Sequence, residues 1–325
     1  MKVSVRGWPA SLLAAIAGLF TCTVSHFAIA TTAVPTKSAP AASATIKTPA
    51  KPATKAVAKA PAAKPKTAGG KHGPSIRSSA VLIVDESDSS VLLSKNADVA
   101  VPIASITKLM TALVVLDANL PLDEPIKITR EDRAIDKGST SALTVGAVLT
   151  RGELLHLALM SSENHAAHAL GRTYEGGTKA IVAAMNTKAK VLGMKRTHFT
   201  DTTGLSSGNI ASPEDLVRLV AAASENPVIR KYSTDADEIV QVGRYPVEYH
   251  STNNLARKAD WDIVVQKTGY TQAAGRCLVM KAIIDEKPVI MVLMNSYGKY
   301  TRTADAVRVR RWLEAAAQSA TLAGR

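Results

Sequence analysis

The stretch from residue 31 to residue 74 sets the first limit on what this chain can fold into. It holds eight Lys and seven Pro, with no aromatic and no acidic residue. Such a segment cannot bury enough apolar surface to offset its own ordering entropy. Its repeated Ala, Lys and Pro read as a partly extended tether. The folded part is therefore expected to be one domain over residues 75–322. The whole chain carries a formal charge of +13, which at first suggests a polyanionic partner. Residues 1–77, however, hold eleven Lys or Arg and no Asp or Glu, which leaves +2 on residues 78–325. The basicity belongs to the arm, so the folded part is not expected to bind nucleic acid. The arm itself could make weak electrostatic contact with an anionic surface.

The first thirty residues read as an export signal. Lys2 and Arg6 supply the positive start, Leu12 to Phe20 a short apolar stretch, and Ala28-Ile29-Ala30 a cleavage pattern. The apolar stretch falls short of the roughly 20 residues of a membrane span. An uncleaved anchor is the alternative. Cys22 follows Leu19-Phe20-Thr21, a poor context for lipid attachment. Cleavage after Ala30 removes Cys22 and leaves Cys277 alone, so no internal disulfide is expected. Cys277-Leu278-Val279-Met280 is an apolar run, which predicts a buried thiol.

Ala80 to Val84 and Val91 to Leu93 read as strands around the turn Glu86-Ser87-Asp88-Ser89. A helix begins near Ser105, with Leu109, Ala112, Leu113 and Leu116 on one face. Thr150-Arg151-Gly152-Glu153 is a capping box ahead of the helix Leu154 to Met160. A helix over about 178–192 stops at Gly193. Ser212-Pro213 opens another, with Ser as cap and Pro in the first turn. Late strands follow over 238–242, 247–250, 263–266, 278–284 and 289–295, and a closing helix over 304–318. Short turns between late strands require antiparallel pairing. The expected class is α/β of the α+β kind: one antiparallel sheet of about five strands flanked by a helical cluster.

Three short patterns carry chemistry. Ser105-Ile106-Thr107-Lys108 puts Lys108 about one helical turn from Ser105, within reach of its hydroxyl. A serine needs a base to become a nucleophile, and a desolvated lysine can serve. The helix N-terminus adds an N–H and a positive dipole beside a developing oxyanion. Ser162-Glu163-Asn164 falls in a break between helices; its hydroxyl could relay a proton and its amide bind a carbonyl. Lys267-Thr268-Gly269 ends a strand; a cation and a hydroxyl suit a carboxylate, and glycine admits close approach. Each pattern alone is weak. Ser296-Tyr297-Gly298-Lys299 is a second S-x-x-K, and Ser207-Gly208-Asn209 and Ser224-Glu225-Asn226 repeat S-x-N. The order S-x-x-K, S-x-N, K-T-G on these elements is the specific signal.

On those motifs the sequence resembles the low-molecular-weight penicillin-binding proteins, the serine D-alanyl-D-alanine peptidases. Pro102 to Ala112, Leu159 to Asn164, Asp201-Thr202-Thr203-Gly204-Leu205-Ser206, Lys267 to Thr271 and Ala274 to Leu278 are similar to that family's signatures, over about residues 79–315. The resemblance implies Ser105 as the acylated nucleophile, Lys108 as its base and Ser162 as proton carrier. Asn164 would hold the substrate amide, Lys267 and Thr268 its carboxylate, and the N–H groups of Ser105 and Tyr270 the oxyanion. Substrates would be peptidoglycan stem peptides and their cross-links, β-lactams would acylate Ser105, and no cofactor or metal is implied. The basic linker could then touch cell wall or anionic lipid, and the site of action would be periplasmic. Only 56 residues follow Gly269, too few for the C-terminal domain and membrane helix usual in carboxypeptidases of the family. That, with Ser-Glu-Asn rather than Ser-Gly-Asn, resembles the endopeptidase branch that cuts the D-Ala–diaminopimelate link. The alternatives are a carboxypeptidase that trims pentapeptides, a β-lactamase, a transpeptidase and a non-catalytic peptidoglycan-binding module. His165 and His168 lie i, i+3 and lack an evident third metal ligand, so packing histidines are expected.

Overall fold

A computed structural model describes residues 73–136 and 141–323. The expected export signal over 1–30, and the linker as far as residue 72, lie outside them. The described chain runs β1 (Ala80–Asp85), β2 (Ser90–Lys95), β3 (Val101–Pro102), a 3-10 turn at Ala104–Ile106, α1 (Thr107–Asp117), β4 (Pro125–Lys127), α2 (Arg130–Ala134) and β5 (Val148–Thr150). It continues with α3 (Arg151–Met160), α4 (Asn164–Arg172), α5 (Gly177–Val191), β6 (Ile210–Ala211), α6 (Pro213–Glu225) and α7 (Pro227–Thr234). Last come β7 (Asp237–Val242), β8 (Tyr245–His250), β9 (Asp262–Thr271), β10 (Gly275–Ile284), β11 (Lys287–Ser296) and α8 (Thr301–Ala323). No described helix is long and apolar enough to cross a membrane.

The main sheet has five antiparallel strands in the order β2-β1-β11-β10-β9, so the first and last strands of the domain lie side by side. Every residue of β1 is buried, which explains its unbroken apolar run. Alternate residues serve opposite faces. Ala80, Leu82, Val279 and Val292 join the core under the main helical cluster, whereas Val81, Ile83, Met280 and Met291 join a second core with Ala306 and Val309 of α8. Helices therefore cover both faces. Cys277 is fully buried, and burial pushes its thiol up to about 11.

Three sequence expectations need correction, and two short strand pairs were not anticipated. Residues 237–250 form a strand pair, but among the described residues β7 and β8 pair only with each other. The outer edge of β9, which they would have extended, is covered: Gln266 donates from its backbone N to Ser233 Oγ and from Nε2 to the Ser233 carbonyl (2.7 Å). An edge capped by α7 cannot take another strand. The K-T-G segment lies inside β9, two residues before its end, because pairing with β10 persists to Thr271. The closing helix starts at Thr301 and runs beyond 318. The short pairs β3–β6 and β4–β5 carried too few residues to show a period.

Helix α2 is short but strongly anchored. Thr129 and Asp132 form a capping box. The buried Asp132 carboxylate also pairs with His168 Nδ1 (2.7 Å) and accepts from Arg172 Nε (3.1 Å) and Nη2 (2.9 Å) on α4. Burial opposes its ionisation, but His168, Arg172 and the Thr129 N–H outweigh that and hold the carboxyl well below its usual range. Breaking a buried pair costs about 3–5 kcal/mol. Asp132→Ala is expected to lose that much stability at pH 7 in urea denaturation. The deficit should shrink as pH falls below about 4, where the unfolded carboxyl protonates and the stabilising contribution disappears from wild type. A loss independent of pH would refute the ion-pair account.

Candidate active site

Ser105 lies in the 3-10 turn that leads into α1. The turn is held on both sides: Ile103 N donates to the Asn209 carbonyl (3.0 Å), and Thr107 Oγ1 to the Ala104 carbonyl (2.8 Å). Ala104 has φ +49°, an uncommon conformation for a residue with a Cβ. Two glycines make room for this backbone. A Cβ on Gly204, itself at φ +85°, would stand 1.9 Å from the Ala104 carbonyl oxygen. A Cβ on Gly269 would stand 2.9 Å from the Ile103 oxygen and 3.2 Å from Ser105 N. Strand β9 thus passes directly beside the serine.

Lys108 is 1% exposed and sends Nζ to three acceptors: Ser105 Oγ (2.8 Å), Asn164 Oδ1 (2.8 Å) and the Thr203 carbonyl (2.7 Å). Burial lowers its pKa to about 7, against the opposing pull of the Glu163, Asp201 and Asp136 carboxylates. At that value a neutral amine is well populated near pH 7; it can keep two donors on Asn164 and Thr203 and turn its lone pair to Ser105.

Ser162 sits at φ +65° between α3 and α4. Its hydroxyl makes no hydrogen bond among the described residues; it lines a polar cleft of ≈ 380 Å³ with Ser141, Glu163, Asn164, Glu248 and Tyr249. Lys267 is fully buried, and its Nζ donates only to the Thr268 carbonyl (3.0 Å) among the described residues. Burial, and then the nearby Lys108 and Arg302, hold its pKa well below the usual lysine value. Thr268 Oγ1 lies 2.6 Å from Thr252 Oγ1, and Thr252 N donates to the Met160 carbonyl (3.2 Å), which ties β9 to the end of α3. The Arg276 guanidinium stacks 4.5 Å over the ring of Tyr270, an exposed residue.

The geometry therefore brings Ser105, Lys108 and Asn164 into one hydrogen-bonded cluster, with Gly269 against the serine turn. The duplicate motifs have other partners. Ser296 Oγ bonds Ser78 Oγ (2.7 Å), Asn209 Oδ1 accepts from Thr200 N (2.6 Å), and Ser224 Oγ accepts from Lys281 (3.0 Å). His168 is engaged by Asp132, and His165 is buried beside Glu163. Sequence reasoning missed five residues. Asp201 Oδ1 accepts from Thr203 N and Gly204 N, both at 2.6 Å, and so shapes the loop that presents the Thr203 carbonyl to Lys108. Arg302 donates to the Gly269 carbonyl (2.8 Å), adding a second cation beside Lys267. Asp136, Thr203 and Thr252 complete the set. The D-T-T-G-L-S segment was the one visible signal, and it gave no role.

A sheet covered on both faces, with a helix-start Ser-Lys pair set against its edge strand, defines the class: serine hydrolases of the DD-peptidase fold. The D-alanyl-D-alanine carboxypeptidase family, peptidase S11, matches residues 67–298. A D-alanyl-D-alanine endopeptidase of Pseudomonas aeruginosa is 44% identical over 255 residues, 78% of this chain and 82% of that one. A D-alanyl-D-alanine endopeptidase of Escherichia coli is likewise 44% identical over 254 residues, covering 78% and 82%. The Streptomyces K15 DD-transpeptidase structure superposes with a TM-score of 0.70 at 27% identity, covering 74% of this chain and 98% of that one. The chain belongs to the peptidase S11 family of serine DD-peptidases.

The Gly204 contact is testable. Gly204→Ala forces its Cβ into backbone, and overpacking of this kind costs about 1–3 kcal/mol. At roughly 2–4 °C per kcal/mol for a domain of this size, Tm is expected to fall by about 2–12 °C in calorimetry. An unchanged Tm would show that the 201–206 loop does not need the close approach.

Proposed function

We propose that this protein is a serine D-alanyl-D-alanine endopeptidase that hydrolyses D-Ala–diaminopimelate cross-links in peptidoglycan. The observation that carries the chemistry is the Lys108 Nζ–Ser105 Oγ contact of 2.8 Å at a buried amine whose pKa lies near 7. The choice of substrate is supported by the two relatives named as endopeptidases.

In this reading Lys108, as neutral amine, takes the Ser105 proton while Oγ bonds to the D-alanyl carbonyl carbon. The N–H groups of Ser105 and Tyr270 stabilise the resulting oxyanion. The intermediate collapses, the C–N bond breaks, and the proton passes from Lys108 through Ser162 to the leaving diaminopimelate nitrogen. Water then attacks the acyl carbon and gives its proton to Lys108, which returns it to Ser105. Asn164 holds the substrate amide. Lys267 and Thr268, with Arg302 beside them, hold the carboxylate next to the scissile nitrogen. A buried amine with one carbonyl acceptor suits an anion, because a paired charge offsets desolvation. β-Lactams would acylate Ser105 through the same groups. The N-terminal pattern ending at Ala30 supports export to the periplasm, with residues 31–74 as the tether.

A terminal D-Ala also presents a carboxylate at that place, and the family's description is a carboxypeptidase. Incubation with cross-linked muropeptide dimers and with monomeric pentapeptide, followed by mass spectrometry, separates the two. The expected result is dimers converted to monomers with pentapeptide intact. Loss of one alanine from pentapeptide with dimers untouched would make the enzyme a carboxypeptidase. Two further outcomes are expected. Ser105→Ala should take up no fluorescent penicillin; labelling that survives moves the nucleophile elsewhere. The acylation rate should be level above about pH 7 and fall about tenfold per unit below it, as Lys108 protonates. A rate flat from pH 5 to 8 would remove Lys108 as base.

A further inference from the structure

Asn164 has a task in that reaction, but an amide is nearly symmetric in shape, so its neighbours decide which end presents oxygen. Lys108 Nζ meets Oδ1 at 2.8 Å, and Nδ2 donates to Asp136 Oδ2 at 2.7 Å. A carboxylate only accepts, and a lysine directed at oxygen donates. Turning the amide over would set donor against donor and acceptor against acceptor. Asp136 lies two residues past α2, which the Asp132 clamp fixes to α4. Asn164, His168 and Arg172 are spaced four apart and share one face of α4. Asp132 and Asp136 are also four apart. Two carboxylates thus meet one polar row, with His168 and Arg172 on the first and Asn164 on the second. One N–H of Nδ2 is taken by Asp136 and the other remains for a ligand carbonyl.

We propose that Asp136 is a positioning residue of the acylation site, fixing the Asn164 amide with its oxygen on Lys108 and its second N–H toward the substrate. The proposal rests on the roles given above to Ser105, Lys108 and Asn164. Asp136 acts through Asn164 and does not touch the reacting atoms. Its charge also reaches Lys108, which is faced by Glu163 at the start of α4, by Asp201 in the 201–206 loop, and by the Lys267 amine from β9.

The test uses the full chain with Asp136→Ala and Asp136→Asn. In the Ala variant the alkaline plateau of penicillin acylation is expected to fall about 10- to 100-fold, the scale of one lost charge-assisted hydrogen bond. Its acid limb should move to lower pH, because a carboxylate that favours the Lys108 ammonium is gone. Asp136→Asn can still accept from Asn164, so it should recover most of the plateau and keep the shifted limb. A role confined to folding would lower Tm in both variants and leave the limb at its wild-type pH, and that overturns the proposal. So would a plateau within twofold of wild type in Asp136→Ala. The side-chain amide protons of Asn164, followed by NMR without substrate, give a reading independent of turnover. They should shift upfield in Asp136→Ala, and unchanged resonances overturn the proposal. If the wild type takes up no penicillin, the functional reading fails, while the amide resonances still decide the role of Asp136.

Discussion

The site depends on one buried amine. Lys108 is removed from solvent on the first helix of the domain, and its acceptors come from three places: its own helix start, the N-terminus of α4 and the 201–206 loop. A lysine in that position costs free energy unless its donors are met. The surrounding architecture meets them. Helix α4 is held by the Asp132 clamp, and the loop is held by Asp201 through four N–H and O–H donors. Without these supports the amine would be an unpaired buried group, and its burial would be destabilising.

Close backbone packing is the second constraint. The serine turn has β9 on one side and the 203–204 segment on the other, and glycine stands at both contacts. Ala104 and Ser162 adopt positive φ without being glycine. Such strain persists only where the surroundings over-determine the conformation. Here the over-determination is visible: Ala104 is 1% exposed and its carbonyl is gripped by Thr107, and Ser162 is flanked by the end of one helix and the cap of the next. Strand β9 can present K-T-G beside the turn because its far edge is already closed by α7.

What the sequence disclosed follows from distance along the chain. Ser105 and Lys108 are one turn apart, so local geometry sufficed. Glu153 and Thr150 announced a helix start that the capping hydrogen bonds bear out. The strands expected over 278–284 and 289–295 are present within β10 and β11 and pair antiparallel. The residues that escaped notice reach the site across long separations: 95 positions between Lys108 and Thr203, 28 between Asn164 and Asp136, 33 between Arg302 and Gly269. No periodicity encodes such contacts. The β7–β8 pair shows the same limit in another form. Its alternation identified two strands, but whether they extend the main sheet depended on whether β9 had a free edge, which Ser233 decides from a different segment.

The two buried lysines show why residue type alone underdetermines chemistry. Lys108 and Lys267 are both withdrawn from water, and burial lowers the pKa of each. Their neighbours then separate them. Lys108 is faced by three carboxylates that partly restore its charge, so that it sits near 7, where a proton can be taken and returned. Lys267 is faced by Lys108 and Arg302, which push in the same direction as burial and leave the region short of negative charge. A group with a pKa near working pH suits proton transfer, whereas a buried amine beside an arginine and without a carboxylate gains its charge when an anion arrives. Exchanging the carboxylate shell of one lysine for the cationic shell of the other would exchange those tendencies with the motifs unchanged. The difference between the two amines therefore resides in Glu163, Asp201, Asp136 and Arg302, which are placed by the fold, as much as in the lysines that the motifs name.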